Sequence, residues 1–208
     1  MSGKTTIKHL WFDFSDTIAS VNREEYNKVL YSAYAEVLKT EATPELAQDF
    51  EKQFKIHKSN SGVFVALGKS VGFLSEELSA VAPEKIYKLA DKNMPAVIKK
   101  LREILPVSIF SNTKLDTLLP ALGLDLNWFT HILGPKMIQK PKPAPDGFYK
   151  MIELSKCRPN EILYIGDDVE KDLIPAKREG ILTGLLWKES AEADYCFNDF
   201  EAILKFFK

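Results

Sequence analysis

The stretch HLWFDFSDTIAS, residues 9–20, decides how the rest of the chain is read. A short apolar run, Leu10-Trp11-Phe12, stops abruptly at Asp13, and two more polar residues, Ser15 and Asp16, follow before the chain turns apolar again. Residues 7–12 are short, bounded and too apolar for an exposed edge, which predicts a buried strand. A buried strand that ends in an acid calls for a reason at its carboxyl end.

Two later segments share the pattern. VSIF (107–110) is a predicted strand closed by Ser111 and Asn112, with Thr113 next. EILYIG (161–166) is a predicted strand closed by Asp167 and Asp168, with Asp172 a turn further on. Between and around them, helical and strand patterns alternate. AVIKKLREIL and KLDTLLPALGL read as helices and THILG (130–134) as a strand. A proline-rich loop, PKMIQKPKPAPDGF, precedes a helix from about Asp146 to Cys157. A helix near 170–179 closed by Gly180, a strand ILTGLLW and an edge strand in ADYCF complete the series. Repeated strand–helix units predict an α/β fold, a Rossmann-like parallel sheet with helices on both faces.

Residues 18–93 differ. Tyr26, Val29, Leu30, Ala33, Tyr34, Val37 and Leu38 recur at spacings of three and four, one face of an amphipathic helix. TPELAQDFEKQF starts another helix, with Thr43 as N-cap and Pro44 at the first helical position. NSGVFVALGKSVGF is broken by glycines, and SEELSAVAPEKIYKLADKN resumes helix. No strand is predicted in this block, which reads as an insertion after the first strand. The expected organisation is a core of residues 1–17 and 94–208 with an inserted α-helical cap domain of residues 18–93.

Composition sets the bounds. The chain has 208 residues, 28 basic against 29 acidic, a net charge of -1, and 45% hydrophobic residues. A chain of this length buries roughly 70% of its unfolded surface. Near-neutral charge gives no reason to expect nucleic acid or an anionic membrane as partner. No stretch of about 18 apolar residues is present and the N-terminus lacks a signal-peptide pattern, so a cytoplasmic protein is expected. Cys157 and Cys196 read as reduced, partly buried thiols. The scattered His9, His57 and His131 argue against a zinc site. Ser2 to Thr5, SGKT, looks like the tail of a phosphate-binding loop but has no room upstream for the glycine and strand that loop needs.

In a parallel sheet, functional groups gather at the carboxyl ends of the strands where strand order reverses. Were the three polar-ended strands neighbours, Asp13 and Asp167 would face each other across a small pocket. Two carboxylates so close repel unless something positive lies between them. Mg²⁺ suits this, since it takes hard oxygen ligands from one or two carboxylates together with water and a substrate phosphate.

These motifs, in this order, resemble the haloacid dehalogenase-like hydrolase superfamily, in its phosphoglycolate phosphatase and β-phosphoglucomutase-like subgroup. WFDFSDT matches the Asp-x-Asp-x-Thr motif at Asp13 and Thr17, and SIFSN matches the second motif at Ser111. KPAPDGF supplies the third motif's lysine, Lys142, and YIGDDVEKD fits both versions of the fourth, through Asp168 and Asp172. The resemblance implies an Mg²⁺-dependent phosphohydrolase in which Asp13 is the nucleophile and forms an aspartyl phosphate. It further implies that Asp13, Asp167 and the backbone carbonyl of Ser15 hold the metal. Ser111, Asn112 and neighbouring amides would bind phosphate, Lys142 would balance charge, and Asp168 and Asp172 would orient ligands. The block at 18–93 corresponds to the family's first type of cap, which implies a small phosphorylated molecule as substrate.

The chain departs from the pattern at Ser15, where the family's phosphatases carry the general acid/base. A hydroxyl cannot titrate near neutrality, and losing such a group typically costs about 10²–10⁴-fold in rate. Three readings follow. The protein remains a phosphohydrolase, with a good leaving group or with Asp16 or a cap residue giving the proton. It performs dehalogenation or phosphonate cleavage, the latter needing a cap lysine such as Lys28, Lys58 or Lys69. Or it binds a phosphorylated ligand or a protein with little turnover. Within the cap, His57, Lys58 and Asn60 are the residues expected to reach the pocket. Tyr26, Tyr31 and Tyr34 are expected in the cap core or a surface patch, and Trp187 in the sheet.

Overall fold

The computed structural model describes residues 6–208, so the SGKT segment lies outside the described residues. Strand β1 (His9–Phe12) leads into β2 (Ala19–Val21) and then helices α1 (Arg23–Leu38), α2 (Pro44–His57), α3 (Asn60–Ala66), α4 (Phe73–Leu78) and α5 (Pro83–Ile86). Strand β3 (Tyr87–Leu89) and helix α6 (Met94–Leu101) follow. Next come β4 (Val107–Phe110), α7 (Leu118–Ala121), β5 (Ile132–Leu133), α8 (Asp146–Ser155) and β6 (Ile162–Gly166). A wide π-type turn at Val169–Leu173, α9 (Ile174–Arg178), β7 (Leu182–Leu186), β8 (Tyr195–Phe197) and α10 (Phe200–Phe206) complete the chain.

Among the described residues, six strands form a parallel sheet in the order β5-β4-β1-β6-β7-β8. The chain builds outward from β1 to one edge through β4 and β5, then returns to the other side of β1 and builds outward through β6, β7 and β8. The order therefore reverses at β1, between the two strands whose ends carry Ser111 and Asp167. Register is tight there: Phe12 pairs with Ile109 on one side and Ile165 on the other. The Asp13 amide extends the ladder by donating to the Ile165 carbonyl at 2.8 Å.

Strand alternation sorts the two faces. Leu10, Phe12, Phe14, Val107, Ile109, Leu163 and Ile165 enter a large core shared with α6, α10 and the helices that follow β2. Trp11, Phe110, Ile162 and Tyr164 point the other way into a smaller core with Phe148, Met151 and Ala176 of α8 and α9. Asp13 follows Trp11 by two residues, so its side chain leaves the sheet on this second face.

The block after β1 is helical as predicted, with one correction. The short strands β2 and β3 pair antiparallel, Ser20 opposite Lys88, at the two points where the chain leaves and re-enters the sheet. Three residues carry too little alternation to mark a strand, and each finds its partner only through the fold. In α1, Tyr26, Leu30, Ala33 and Tyr34 are buried while Leu38, at the helix end, is exposed. Thr43 caps α2 as expected, its side chain accepting from the Leu46 amide. Tyr34 packs edge-on against Phe50, which makes it cap core, and Tyr31 packs on the same ring. A second correction concerns the thiols: both cysteines are free, but only Cys157 is partly buried, and Cys196 on the edge strand β8 is exposed. No helix among the described residues is long and apolar enough to cross a membrane.

Candidate active site

At the carboxyl end of β1, the chain turns tightly through Phe14 to Ala19. The Phe14 carbonyl accepts from the amides of Ile18 and Ala19, both at 2.9 Å. Asp16 sits in the left-handed region at φ 58°, a conformation that Asp tolerates better than most residues. Its carboxylate accepts from the Val21 amide at 3.2 Å and pairs with Arg23. The Trp187 indole donates to its carbonyl at 3.1 Å, so Trp187 is a clamp on this turn as well as a packing residue.

Lys142 organises the interior. Its ammonium is 1% exposed and donates to Asp13 Oδ1 at 2.6 Å, Asp172 Oδ1 at 2.7 Å and the Tyr164 hydroxyl at 2.6 Å. Tyr164 in turn donates to Asp172 Oδ1 at 2.9 Å. The ammonium also lies 4.9 Å from the Phe110 ring centroid, a cation–π arrangement. Asn112 holds the lysine's own backbone, accepting from its amide at 2.9 Å and donating to its carbonyl at 3.2 Å. Asn112 thus spends its side chain on positioning Lys142. Ser111 accepts from the Thr113 amide at 3.0 Å.

The carboxylates converge. Asp13, Asp167 and Asp172 each offer an oxygen within 4.8 Å of the others. Asp13 Oδ2, Asp167 Oδ1 and Asp172 Oδ2 are buried without a hydrogen-bond partner. Gly166 makes the approach possible: a Cβ there would meet Asp172 Oδ2 at 2.8 Å. Asp168 lies outside this trio, its side chain accepting from the Lys171 amide at 2.8 Å as the cap of the π-type turn. Lys171 reaches back over the site, with Nζ 4.0 Å from Asp13 Oδ2.

Burial and proximity set the electrostatics. Burial, then the charge of Asp13, raises the Asp167 carboxyl to about 7. Asp13 is pushed up by burial and by Asp172, against the pull of Lys142 and Lys171. Burial alone would raise Asp172 too, but Lys142 and Lys171 hold it below its ordinary value. Lys171 would be lowered by burial, yet the surrounding carboxylates hold it above the usual lysine range. Three carboxylates that each bring an oxygen within 4.8 Å of the others form an all-oxygen donor set, and each keeps a buried oxygen without a partner, which fits a hard divalent cation such as Mg²⁺.

A cavity of about 340 Å³ opens over Asp13 and Asp167, while the fully buried Asp172 does not reach its wall, and Ser15, Asp16, Ser111, Asn112, Lys142, Asp168 and Lys171 also line it. From the helical side come Arg23, Tyr26, Lys58 and Asn60, while His57, also expected, is not among the lining residues. Asn60 donates to the Tyr26 hydroxyl at 3.1 Å. Lys58 pairs with Glu170 at 3.0 Å across the mouth. Two members escape sequence reasoning. Tyr164 sits inside an apolar strand and reads as packing, and only its place two residues before Gly166 puts it on the Asp13 face. Lys171 stands among charged residues and reads as a solvated helix position.

Compared with models of protein families, the chain matches the haloacid dehalogenase-like hydrolase model over residues 7–180. None of the curated proteins compared with it matches. Several solved structures share the fold. A haloacid dehalogenase-type phosphatase from Thermococcus onnurineus is 19% identical with TM-score 0.70, covering 96% of this chain and 97% of that one. A predicted phosphoglycolate phosphatase from Haemophilus somnus is 19% identical with TM-score 0.68, covering 99% and 100%. A 2-haloacid dehalogenase from Pseudomonas syringae is 15% identical with TM-score 0.63, covering 97% and 100%. The match to the family model spans both strands that flank β1 and all the polar strand ends, and the chain belongs to the haloacid dehalogenase-like hydrolases.

Proposed function

We propose that this hydrolase is an Mg²⁺-dependent phosphohydrolase acting on a small phosphorylated molecule through an aspartyl phosphate on Asp13. One observation carries the reading: Asp13 keeps one buried oxygen free while Lys142 holds the other. A carboxylate fixed in this way has a single oxygen, Oδ2, aimed at the substrate, which is the geometry nucleophilic catalysis needs.

The remaining residues divide the work. Asp13, Asp167, Asp172 and the Ser15 carbonyl would hold the cation. When bound, the cation supplies charge neutralisation for the transferring phosphoryl group. Ser111 and the amides that follow it bind phosphoryl oxygens. Lys142 orients Asp13 and offsets the negative charge, and Asn112 fixes the lysine's backbone. Asp168 orders the turn that presents Lys171 and Asp172. Residues 18–93 act as a cap that excludes water from a substrate small enough for the cavity. The fold's likeness to solved phosphatases supports this reading. The carboxylate trio weighs against dehalogenation, because a metal-free site has no use for a third acid, Asp167, beside the nucleophile and the lysine-paired Asp172.

The test is inorganic phosphate release from a panel of sugar phosphates, nucleotides and aryl phosphates, with Mg²⁺ and with chelator. Turnover that needs Mg²⁺ and disappears in Asp13→Asn is the expected result. Stabilisation by Mg²⁺ and a phosphate mimic without turnover would instead indicate a binding protein.

A further inference from the structure

The turn after β1 shows what the site lacks. Ser15 lines the cavity, and its hydroxyl makes no hydrogen bond within the described residues. The neighbouring Asp16 lines the cavity too but is no replacement, because Arg23 and the Val21 amide take its carboxylate. Asp168 is committed to the Lys171 amide, and Asp172 to Lys142 and Tyr164. On the cap wall Glu51 accepts from Tyr31 at 3.2 Å. The Tyr26 phenol accepts from Asn60, and burial raises it further above neutrality. Asp167 also lines the cavity with an unpartnered oxygen, but it belongs to the trio assigned to the cation. Among the described residues, every other carboxyl lining the cavity accepts a hydrogen bond or pairs with a cation, and no imidazole lines it.

We infer that the substrate is one whose leaving group departs without a proton, an acyl phosphate or a phosphoanhydride, and that the phosphoryl group accumulates on Asp13. The inference rests on the phosphohydrolase reading above and narrows its substrate class. In the first step Asp13 Oδ2 bonds to phosphorus and the bond from phosphorus to the leaving oxygen breaks. That oxygen leaves with the bonding pair as a carboxylate or phosphate anion, stable as such near neutrality. In the second, a water oxygen bonds to phosphorus, the bond to Asp13 breaks, and Asp13 regains its carboxylate while the water's proton passes to solvent. No positioned base helps that water, so the second step is the slower one. An alkyl phosphate would leave as an alkoxide, and there the absent acid costs the typical factor of about 10²–10⁴.

The experiment compares kcat/KM for acetyl phosphate, pyrophosphate, 4-nitrophenyl phosphate, phenyl phosphate and an alkyl phosphate at saturating Mg²⁺. Rates falling by about 10²-fold or more from the nitrophenyl to the phenyl ester, with the alkyl ester lowest, are expected. A pre-steady-state burst with acetyl phosphate is expected as well. Ser15→Asp should raise alkyl ester turnover and flatten the series, although the wild-type series alone decides the matter. A flat wild-type series overturns the inference while leaving the phosphohydrolase reading intact. So does a shallow series that Tyr26→Phe steepens, since the proton would then come from Tyr26. Absence of turnover with every ester, acetyl phosphate included, overturns both.

Discussion

Asp13, Lys142 and Asp172 form a charge cluster whose members depend on one another. Lys142 is the cation that two buried carboxylates share at hydrogen-bond distance, so its removal leaves both with only the more distant Lys171. Breaking a buried pair by deleting one partner costs about 3–5 kcal/mol. Lys142→Met is therefore expected to lower the urea midpoint sharply at neutral pH and to recover partly in acid, where the orphaned carboxylates can protonate. A midpoint unchanged at pH 7 would contradict the bonding described. His9 makes a separate residue-scale prediction. It is buried against Trp11 and His131 and bonded to Ser108 at 2.8 Å. Burial, then the charge of His131, lowers its pKa to about 4 from 6.5. The unfolded chain thus binds the extra proton first, and stability is lost as pH falls through the window from 6.5 toward 4. The loss is about 2 kcal/mol between pH 7.5 and 5, and His9→Phe should flatten that part of the unfolding profile.

Elements place these residues, and here the sequence is legible in some parts and opaque in others. The three polar-ended strands could be read because buried strands are uninterrupted apolar runs and their ends are sudden. β1, β4 and β6 all fall inside the predicted spans. The Lys142 loop and α8 were readable from proline spacing and the Phe148 position. β2 and β3 were not, because pairing between distant triplets leaves no local periodicity. Asp168 and Asp172 looked equivalent in sequence. The π-type turn separates them, sending Asp168 to a backbone amide and Asp172 to the trio. Gly166 ends β6 where a methyl group would strike Asp172. Gly166→Ala is expected to displace that carboxylate and weaken Mg²⁺ binding about 10-fold or more, the scale on which disturbed ligand support is felt. Isothermal titration with Mg²⁺ measures it, and unchanged affinity would remove Asp172 from the cation site.

At the scale of the molecule, function follows from where strand order reverses. Parallel strands that grow outward in both directions from β1 leave a crevice at its end, and the helical block covers that crevice. The contact between Lys58 and Glu170 crosses the mouth, but both side chains are exposed, and exposed pairs contribute about 0–1 kcal/mol. Lys58→Ala should leave the unfolding midpoint nearly unchanged, with any effect confined to KM. The substrate's identity lies in the cavity wall, where amides, hydroxyls and paired charges mark no single ligand by sequence pattern. The account as a whole turns on Asp13 taking the phosphoryl group. Rapid quenching of the protein with acetyl phosphate and Mg²⁺, borohydride reduction and peptide mass spectrometry tests this directly. Homoserine at position 13, appearing only with Mg²⁺ and absent from Asp13→Asn, is the expected result. Phosphate release that proceeds with no labelled residue at position 13, or with the label on another side chain, would contradict it.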